Sequence, residues 1–431
     1  MPNRTGIAVC CILFTIPNYS IDTAFCKMLI HKNGGNILSD TTSSNRSSIY
    51  SNQTSHFVIL IIAIITAGLS QGMLLPVLAI FLEKMGVSST VNGLNAAALY
   101  VGSFAMTLAA ERLLGVLGFK KLMLCGLLLV VITLPLFPLY PSIAFWFVLR
   151  MLVGIGDSAI HYSAQLWVLM AAPAEKRGRN LSIYGMSYGI GFSIGPLGIQ
   201  LLDWGMMAPF LIMTLLFIIV TVLVWMKLPD GKPAKEEGSE PQKGRFGRSY
   251  RWAWYALIPA LLYGYMEAAM NSNFPVYGLR IGLTTDAIAF LLPFIGIGGL
   301  VLQLPLGMLS DRFGRKKILM LSGSIGGLLF VLVPLAGTNI WTMAALFAVA
   351  GGLIGSFFSL GLAYAADILP KMYLPAANVL ASFHFNFGSI VGPAVGGKGI
   401  EMGSASSLFW VLGGCYILFA AMGFVFREKA K

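Results

Sequence analysis

Five residues of the apolar stretch 142–165, Arg150, Gly154, Asp157, His161 and Gln165, recur at steps of three and four residues. That spacing puts them on one stripe of an α-helix. A second acid, Glu267, lies in the apolar stretch 253–276 with Tyr263 and Asn271 one turn to either side. An arginine in the middle of hydrocarbon costs about 2.5–3.5 kcal/mol even on insertion scales, so such groups must face protein or a wet cavity. A guanidinium, two carboxyls and an imidazole can hold and release protons or pair with a charged solute. Desolvation and a neighbouring guanidinium pull a carboxyl in opposite senses. A carboxylate poised between them can exchange a proton and compete with a cationic solute. Arg150, Asp157, Glu267 and His161 are therefore the candidates for proton coupling. Each also has a plainer role: Asp157 as the counter-ion that lets Arg150 be buried, Glu267 with Arg150 as a static pair, and His161 as a hydrogen-bonded strut.

The elements that carry these groups are read from the apolar pattern. Of 431 residues 57% are hydrophobic and 11% charged, too little polar surface to cover a soluble globule of that size. Apolar stretches near 20 residues, enough to cross about 30 Å of hydrocarbon as helix, recur at 57–81, 91–114, 120–140, 142–165, 179–202, 206–227, 253–276, 286–309, 317–337, 340–364, 376–398 and 406–426. The expectation is an all-α integral membrane protein of twelve transmembrane helices. Counting 1.5 Å of rise per residue sets Arg150 and Glu267 within about a turn of the same depth.

The chain divides into four parts: a tail over 1–55, six spans over 56–228, a charged linker over 229–251 and six more spans over 252–431. The two sets of spans echo each other at an offset near 197 residues. Gly191, Gly195 and Pro196 match Gly388, Gly392 and Pro393; Gly154 matches Gly351; Gly118 to Lys121 matches Gly314 to Lys317. Such a repeat implies two related six-helix bundles with a substrate path between them. If the first span runs outward, 21 of the 29 Lys and Arg fall in cytoplasmic loops, linker and C-terminal tail. Only Lys84, Arg280 and Lys398 fall on the other side, with four in the N-terminal tail and Arg150 inside a span. The positive-inside rule then makes both termini cytoplasmic. The net charge of +12 reflects this topology rather than a nucleic-acid partner. Short loops suggest a multi-pass protein of a bacterial inner membrane.

Between the eighth and ninth spans, Gly307–Lys317 reads GMLSDRFGRKK. Its glycines, Asp311, Arg312, Gly314, Arg315 and basic pair resemble the cytoplasmic loop motif of the major facilitator superfamily. The resemblance covers residues 57–426. It implies that spans one, four, seven and ten line a cavity that opens alternately to either side, and that Asp311, Arg312, Gly314 and Arg315 form a gating loop. A loop that only anchors topology is the plainer alternative. Arg150-x-x-x-Gly154-x-Gly156 is similar to the family's fourth-helix motif, whose arginine is associated with proton coupling, although Asp157 stands where a small residue is usual. Gly388-x-x-x-Gly392-Pro393-x-x-Gly396-Gly397 is similar to the span-five pattern of the twelve-helix drug:proton antiporters, but here it lies in span eleven. The span-five copy is partial, with Gly198-Ile199 in place of the glycine pair. The first-half copy of the loop motif is degraded, since Glu111-Arg112 lies four residues further from Gly118 than the second copy predicts. Gln71, Gln165, Tyr263, Asn271, Ser356 and Ser359 are the substrate-cavity candidates.

The implied activity is proton-coupled efflux of a small amphipathic or lipophilic compound, by a monomer whose partners are substrate, protons and lipid. A symporter or facilitator of a defined polar solute is the alternative on the same fold, and a membrane receptor or scaffold a more distant one. No GxxxxGK[ST] phosphate loop is present, and no metal, cofactor or nucleophile constellation is expected, so the chain does not read as an enzyme. Cys10, Cys11, Cys26, Cys125 and Cys415 form neither a metal spacing nor a disulfide framework. Gly6 to Pro17 is apolar but too short to span. The Ser- and Asn-rich tract Gly34 to Thr54 is expected to be disordered, with a cleaved signal as the sharper alternative reading of the tail.

Overall fold

Apolar runs of about 20 residues in lipid have one way to satisfy their backbone, the α-helix, and helices are what the chain forms. The computed structural model describes residues 40–171, 177–231 and 244–426, and no strand occurs among them. Met1–Asn52 is one unit and Gln53–Lys431 another, and the second holds the membrane-crossing helices. In chain order the helices are α1 (Asp40–Lys84), which crosses as Ser55–Lys84, α2 (Ser89–Leu117), α3 (Phe119–Thr133), α4 (Ile143–Ala171), α5 (Arg177–Ile194), α6 (Ala208–Lys227), α7 (Arg245–Arg280), α8 (Thr285–Phe313), α9 (Arg315–Leu332), α10 (Ile340–Gly355), α11 (Phe357–Ile368), α12 (Leu374–Met402) and α13 (Ser407–Val425). Thirteen α-helices make twelve spans, because α10 and α11 cross together as Ile340–Ile368.

Ten of the spans are long and apolar enough to cross on those grounds alone. The two that are not, α5 and α7, carry Tyr184, Ser187 and Tyr188, and Tyr263, Glu267, Asn271, Ser272 and Asn273. Their polarity is turned inward, as a helix lining an interior requires.

The repeat seen in the sequence is a repeat of packing. A Cβ at Gly191 would stand 2.2 Å from the Ile65 carbonyl oxygen, and one at Gly388 2.0 Å from that of Leu261. These equivalent contacts seat α5 on α1 and α12 on α7. Likewise Gly154 meets the Leu99 carbonyl and Gly351 the Ile295 carbonyl, seating α4 on α2 and α10 on α8. Small residues let helix backbones approach this closely where no hydrophobic driving force acts between them. The two proline copies diverge. Pro196 opens a 3₁₀ stretch, Gly195–Trp204, whereas α12 runs through Pro393, whose carbonyl accepts from Asn273 Nδ2 at 3.1 Å. That bond ties α7 to α12 across buried backbone at the proline.

Two boundaries differ from the sequence reading. The helix of α7 begins at Arg245, inside the expected linker, with a break at Ala253 (φ −123°, ψ 21°). Ser249 Oγ donates to the Tyr373 carbonyl oxygen at 3.3 Å and Arg248 to the Tyr373 hydroxyl at 3.3 Å, which ties this first segment to the bundle. Residues 232–243 of the linker lie outside the described residues, as do residues 1–39 of the tail. Asp40 to Thr54, expected to be disordered, continues the first helix, since extending a formed helix is far easier than starting one.

The span ends fall into two sets. Connections after α1, α3, α5, α7, α9 and α12 lie at what we term the odd-loop face, and the rest at the even-loop face.

Candidate functional site

The stripe on α4 is graded. Arg150 is fully buried (0% exposed) and Asp157 nearly so (8%), His161 is partly exposed and Gln165 exposed. Exposure rises toward the even-loop face. On the opposing half Ser356 is buried and Ser359 exposed in the same direction. The two halves thus meet closely at mid-depth and toward the odd-loop face, and a polar seam between them widens toward the even-loop face.

Within the first half, the seam is a cluster of rings and polar groups. A 2.8 Å hydrogen bond joins His161 Nδ1 to the Tyr184 hydroxyl. The Tyr188 ring meets His161 edge-on at 4.8 Å, and its hydroxyl donates to Gln71 Oε1 on α1. Asp157 Oδ2 lies 3.9 Å from His161 Nε2, an ion pair when the ring is protonated. His161 is thus fixed at one nitrogen and faces a carboxylate with the other, so the strut and the proton-carrying roles use different atoms.

In the second half, Glu267 is buried (5% exposed). Tyr263, one turn away on the same helix, lies in interaction reach of the carboxyl, and Oε1 has no partner among the described residues. Asn271, on the other side, donates instead to the Glu267 backbone carbonyl at 2.8 Å. The surrounding wall is aromatic: Tyr263 stacks on Phe385 at 6.0 Å, Phe385 meets Phe358 edge-on at 5.9 Å, and Phe104 meets Phe383 across the halves at 5.5 Å.

Three of the sequence expectations need correction. Arg150 and Glu267 do not form an ion pair, and Asp157 is not the counter-ion of Arg150: among the described residues no nitrogen of Arg150 has a hydrogen-bond partner, and no carboxylate lies within 4.0 Å of it. The reason is geometric. Asp157 is seven residues on, about 10 Å along the helix axis, while Glu267 has Tyr263 of its own helix one turn away. Asn271 does not flank the Glu267 carboxyl, because its amide is spent on the backbone. Ser359 likewise donates to the Ser356 carbonyl at 3.0 Å, and Gln165 stands at the exposed end, so neither belongs to the buried cluster.

Sequence reasoning missed Tyr100, Tyr184 and Tyr188. Tyr100 on α2 is buried with an unpartnered hydroxyl and lies in electrostatic reach of Arg150, Asp157 and Glu267. Tyr188 reaches both Asp157 and Glu267 in the same sense. The signal available was the Tyr184–Tyr188 step of one turn, on a helix too polar to be lipid-facing throughout.

The expected gating loop turns at Gly314 (φ +96°), a backbone conformation that favours glycine. Asp311 Oδ1 accepts from Arg315 at 2.9 Å, and the same guanidinium donates to Asp367 at the end of α11 at 2.7 Å. Arg312 lies over the Phe313 ring. These bonds all stay within the second half. Glu111 and Arg112 are exposed on the last turns of α2, and Gly118 (φ +80°) starts α3 as Gly314 starts α9.

Known proteins share this architecture. The family model described as Major Facilitator Superfamily matches residues 60–301 and 287–431. The chain is 38% identical over 360 residues to the uncharacterized MFS-type transporter YfkF of Bacillus subtilis (strain 168), covering 83% of this chain and 92% of that one. It is 23% identical over 297 residues to Multidrug resistance protein 2 of the same organism, covering 66% and 74%. Among solved structures, nucleoside transporter NupG superposes with a TM-score of 0.69 at 13% identity, over 87% of this chain and 98% of that one. A bacterial homologue of the human lysosomal transporter Spinster, solved in an inward-facing and unoccupied conformation, gives 0.65 at 13% identity, over 88% and 99%.

Proposed function

The chain belongs to the major facilitator superfamily, and from that premise we propose that it exports a small amphipathic or lipophilic compound in exchange for protons. Transport of a small molecule through the membrane is the family's activity; efflux, proton coupling and breadth of substrate go beyond it. One observation carries the reading: Glu267 sits buried where the two halves meet, beside Tyr263 and within an aromatic wall, with Oε1 free of any partner among the described residues. A carboxyl there can hold a proton in one state of the cycle and a cationic or hydrogen-bonding substrate in the other. Tyr263, Phe358 and Phe385 supply apolar and stacking surface that tolerates varied shapes. A site for a sugar or other polar solute would need amides and carboxyls in place of those rings. Arg150, Asp157 and His161 in the first half are the further coupling candidates, and the likeness to Multidrug resistance protein 2 supports the outward direction.

The reading also places the protein in a bacterial inner membrane with the even-loop face, rich in Lys and Arg, toward the cytoplasm. The state described is then the one receptive to substrate from inside. The test is transport by the purified protein in liposomes with an imposed pH gradient, across dyes, antibiotics and metabolites. Accumulation or extrusion that collapses with the gradient is the expected result. Gradient-independent movement of a single polar solute would replace this reading with the facilitator alternative.

A further inference from the structure

Glu83, in the last turn of α1, and Arg280, the last residue of α7, are joined by an Oε1–Nε ion pair at 2.8 Å. They are 197 residues apart, the same offset that relates Gly191 to Gly388 and Gly154 to Gly351. On α1 and α7 themselves the packing repeats at 196 residues, since Gly191 meets the Ile65 carbonyl and Gly388 that of Leu261, so Arg280 is the counterpart of Lys84. The pair therefore joins near-equivalent helix ends, close to the axis relating the halves. Beside them, Glu401 near the end of α12 accepts from the Thr90 backbone N–H at 3.0 Å, with Arg280 in electrostatic reach. The amides of the first turn of α2 have no partner within their own helix, and a carboxylate there also meets the positive end of the helix dipole. Glu401 thus caps a helix of the opposite half. Both of these contacts, Glu83–Arg280 from α1 to α7 and Glu401–Thr90 from α12 to α2, cross between halves at the odd-loop face. The ion pairs of the even-loop face, Asp311 and Asp367 on Arg315, stay within one half.

We propose that Glu83, Arg280 and Glu401 are an electrostatic latch that closes the odd-loop face, and that its release is a required step of the conformational cycle. The latch is distinct from the buried seam: Arg280 lies thirteen residues beyond Glu267 on α7, about 20 Å along the helix. A ligand or gradient shifts two conformations only through a difference in interaction energy between them. Two contacts present in one state and broken in the other supply such a difference.

The test uses the full chain in nanodiscs, with native cysteines replaced and spin labels at Met85→Cys and Ser404→Cys, one on each half at the odd-loop face. The parent is expected to show mainly the short inter-label distance. Glu83→Gln, Arg280→Gln and Glu401→Gln should each raise the ratio of long to short distances, roughly 1.5- to 5-fold, as expected for partly exposed pairs. In a Glu401→Gln background, Glu83→Arg should open the face further by setting two cations together. Adding Arg280→Glu restores opposite charges at the two positions that touch, and should bring the distribution back toward that of Glu401→Gln alone. An unchanged distribution in all three neutral variants overturns the latch. So does a double reversal as open as the single one.

Discussion

Glu267 is buried on α7 one turn after Tyr263, which lies in interaction reach of its carboxyl, and Glu267 Oε1 has no partner among the described residues. The carboxyl is thereby kept available where the two halves meet. A fully satisfied ion pair would have locked it, and a fully exposed carboxyl would have lost the low-dielectric surroundings that make its charge state matter. Arg150, buried in the other half without a carboxylate against it, leaves the two halves free to move relative to each other at this depth.

Glu267→Gln mimics the protonated carboxyl without its ability to release the proton. Transport driven by an imposed pH gradient should fall to background. Exchange of labelled for unlabelled substrate, which needs no net proton movement, should survive. Both are measured on the same proteoliposomes. Undiminished gradient-driven transport by this variant would move the coupling role to Asp157 or remove it.

Tyr263→Phe keeps the aromatic wall and removes the hydroxyl that can donate to the Glu267 carboxylate. Hydrogen bonds to charged groups contribute about 1.5–3 kcal/mol, so gradient-driven transport should drop about 10-fold or more, with substrate binding reduced far less. A parallel loss of binding and transport would instead assign Tyr263 to substrate contact alone.

Gly154→Ala puts a Cβ 1.9 Å from the Leu99 carbonyl oxygen, where backbone must give way; Gly185→Ala meets nothing within 4 Å. Overpacking costs about 1–3 kcal/mol. Thermal unfolding in detergent should therefore shift down by several degrees for the first and hardly move for the second. Equal midpoints would mean that α4 and α2 are not packed as described.

The glycine repeat, the twelve spans and the intramembrane charges were legible because each obeys a local rule: span length, helical spacing, or the expense of burying a charge. The partners of those charges were not. Spacing on α4 aligns Arg150 with Asp157, yet which groups meet depends on the rotation of α2, α5 and α7 about their own axes. Tyr100 and Tyr188 therefore came into the site unannounced, and the Arg150–Glu267 pair did not form. Arg280 was visible only as a loop charge, and Glu83 was not singled out. Their meeting depends on the ends of α1 and α7 closing on each other, which no single stretch of sequence contains.

Orientation rests on the Lys and Arg asymmetry and is tested by single cysteines at Tyr140 and Met372, both well exposed (65% and 57%) and on opposite faces. In intact cells a membrane-impermeant thiol reagent should label Tyr140→Cys. Met372→Cys should label only after permeabilisation. The reverse pattern would invert the topology while leaving the fold untouched.

Arg315 is shared by Asp311 and Asp367, so the loop between α8 and α9 is tied to the end of α11 through one guanidinium. Exposed pairs of this kind contribute about 0.2–1 kcal/mol each, too little for the fold to depend on either. Asp311→Asn and Asp367→Asn should accordingly insert and unfold as the parent does. A loop that must hold one arrangement in one state and release it in the other is more sensitive, because a small difference in energy between two states changes their ratio directly. Each variant should slow turnover a few-fold at saturating substrate, and the double variant should be little slower than the slower single one, since both remove the same anchor on Arg315. If Asp311→Asn alone slowed turnover and Asp367→Asn did not, the carboxylate at 311 would act on something other than Arg315. Parent-like rates in both would leave the loop as a topology anchor.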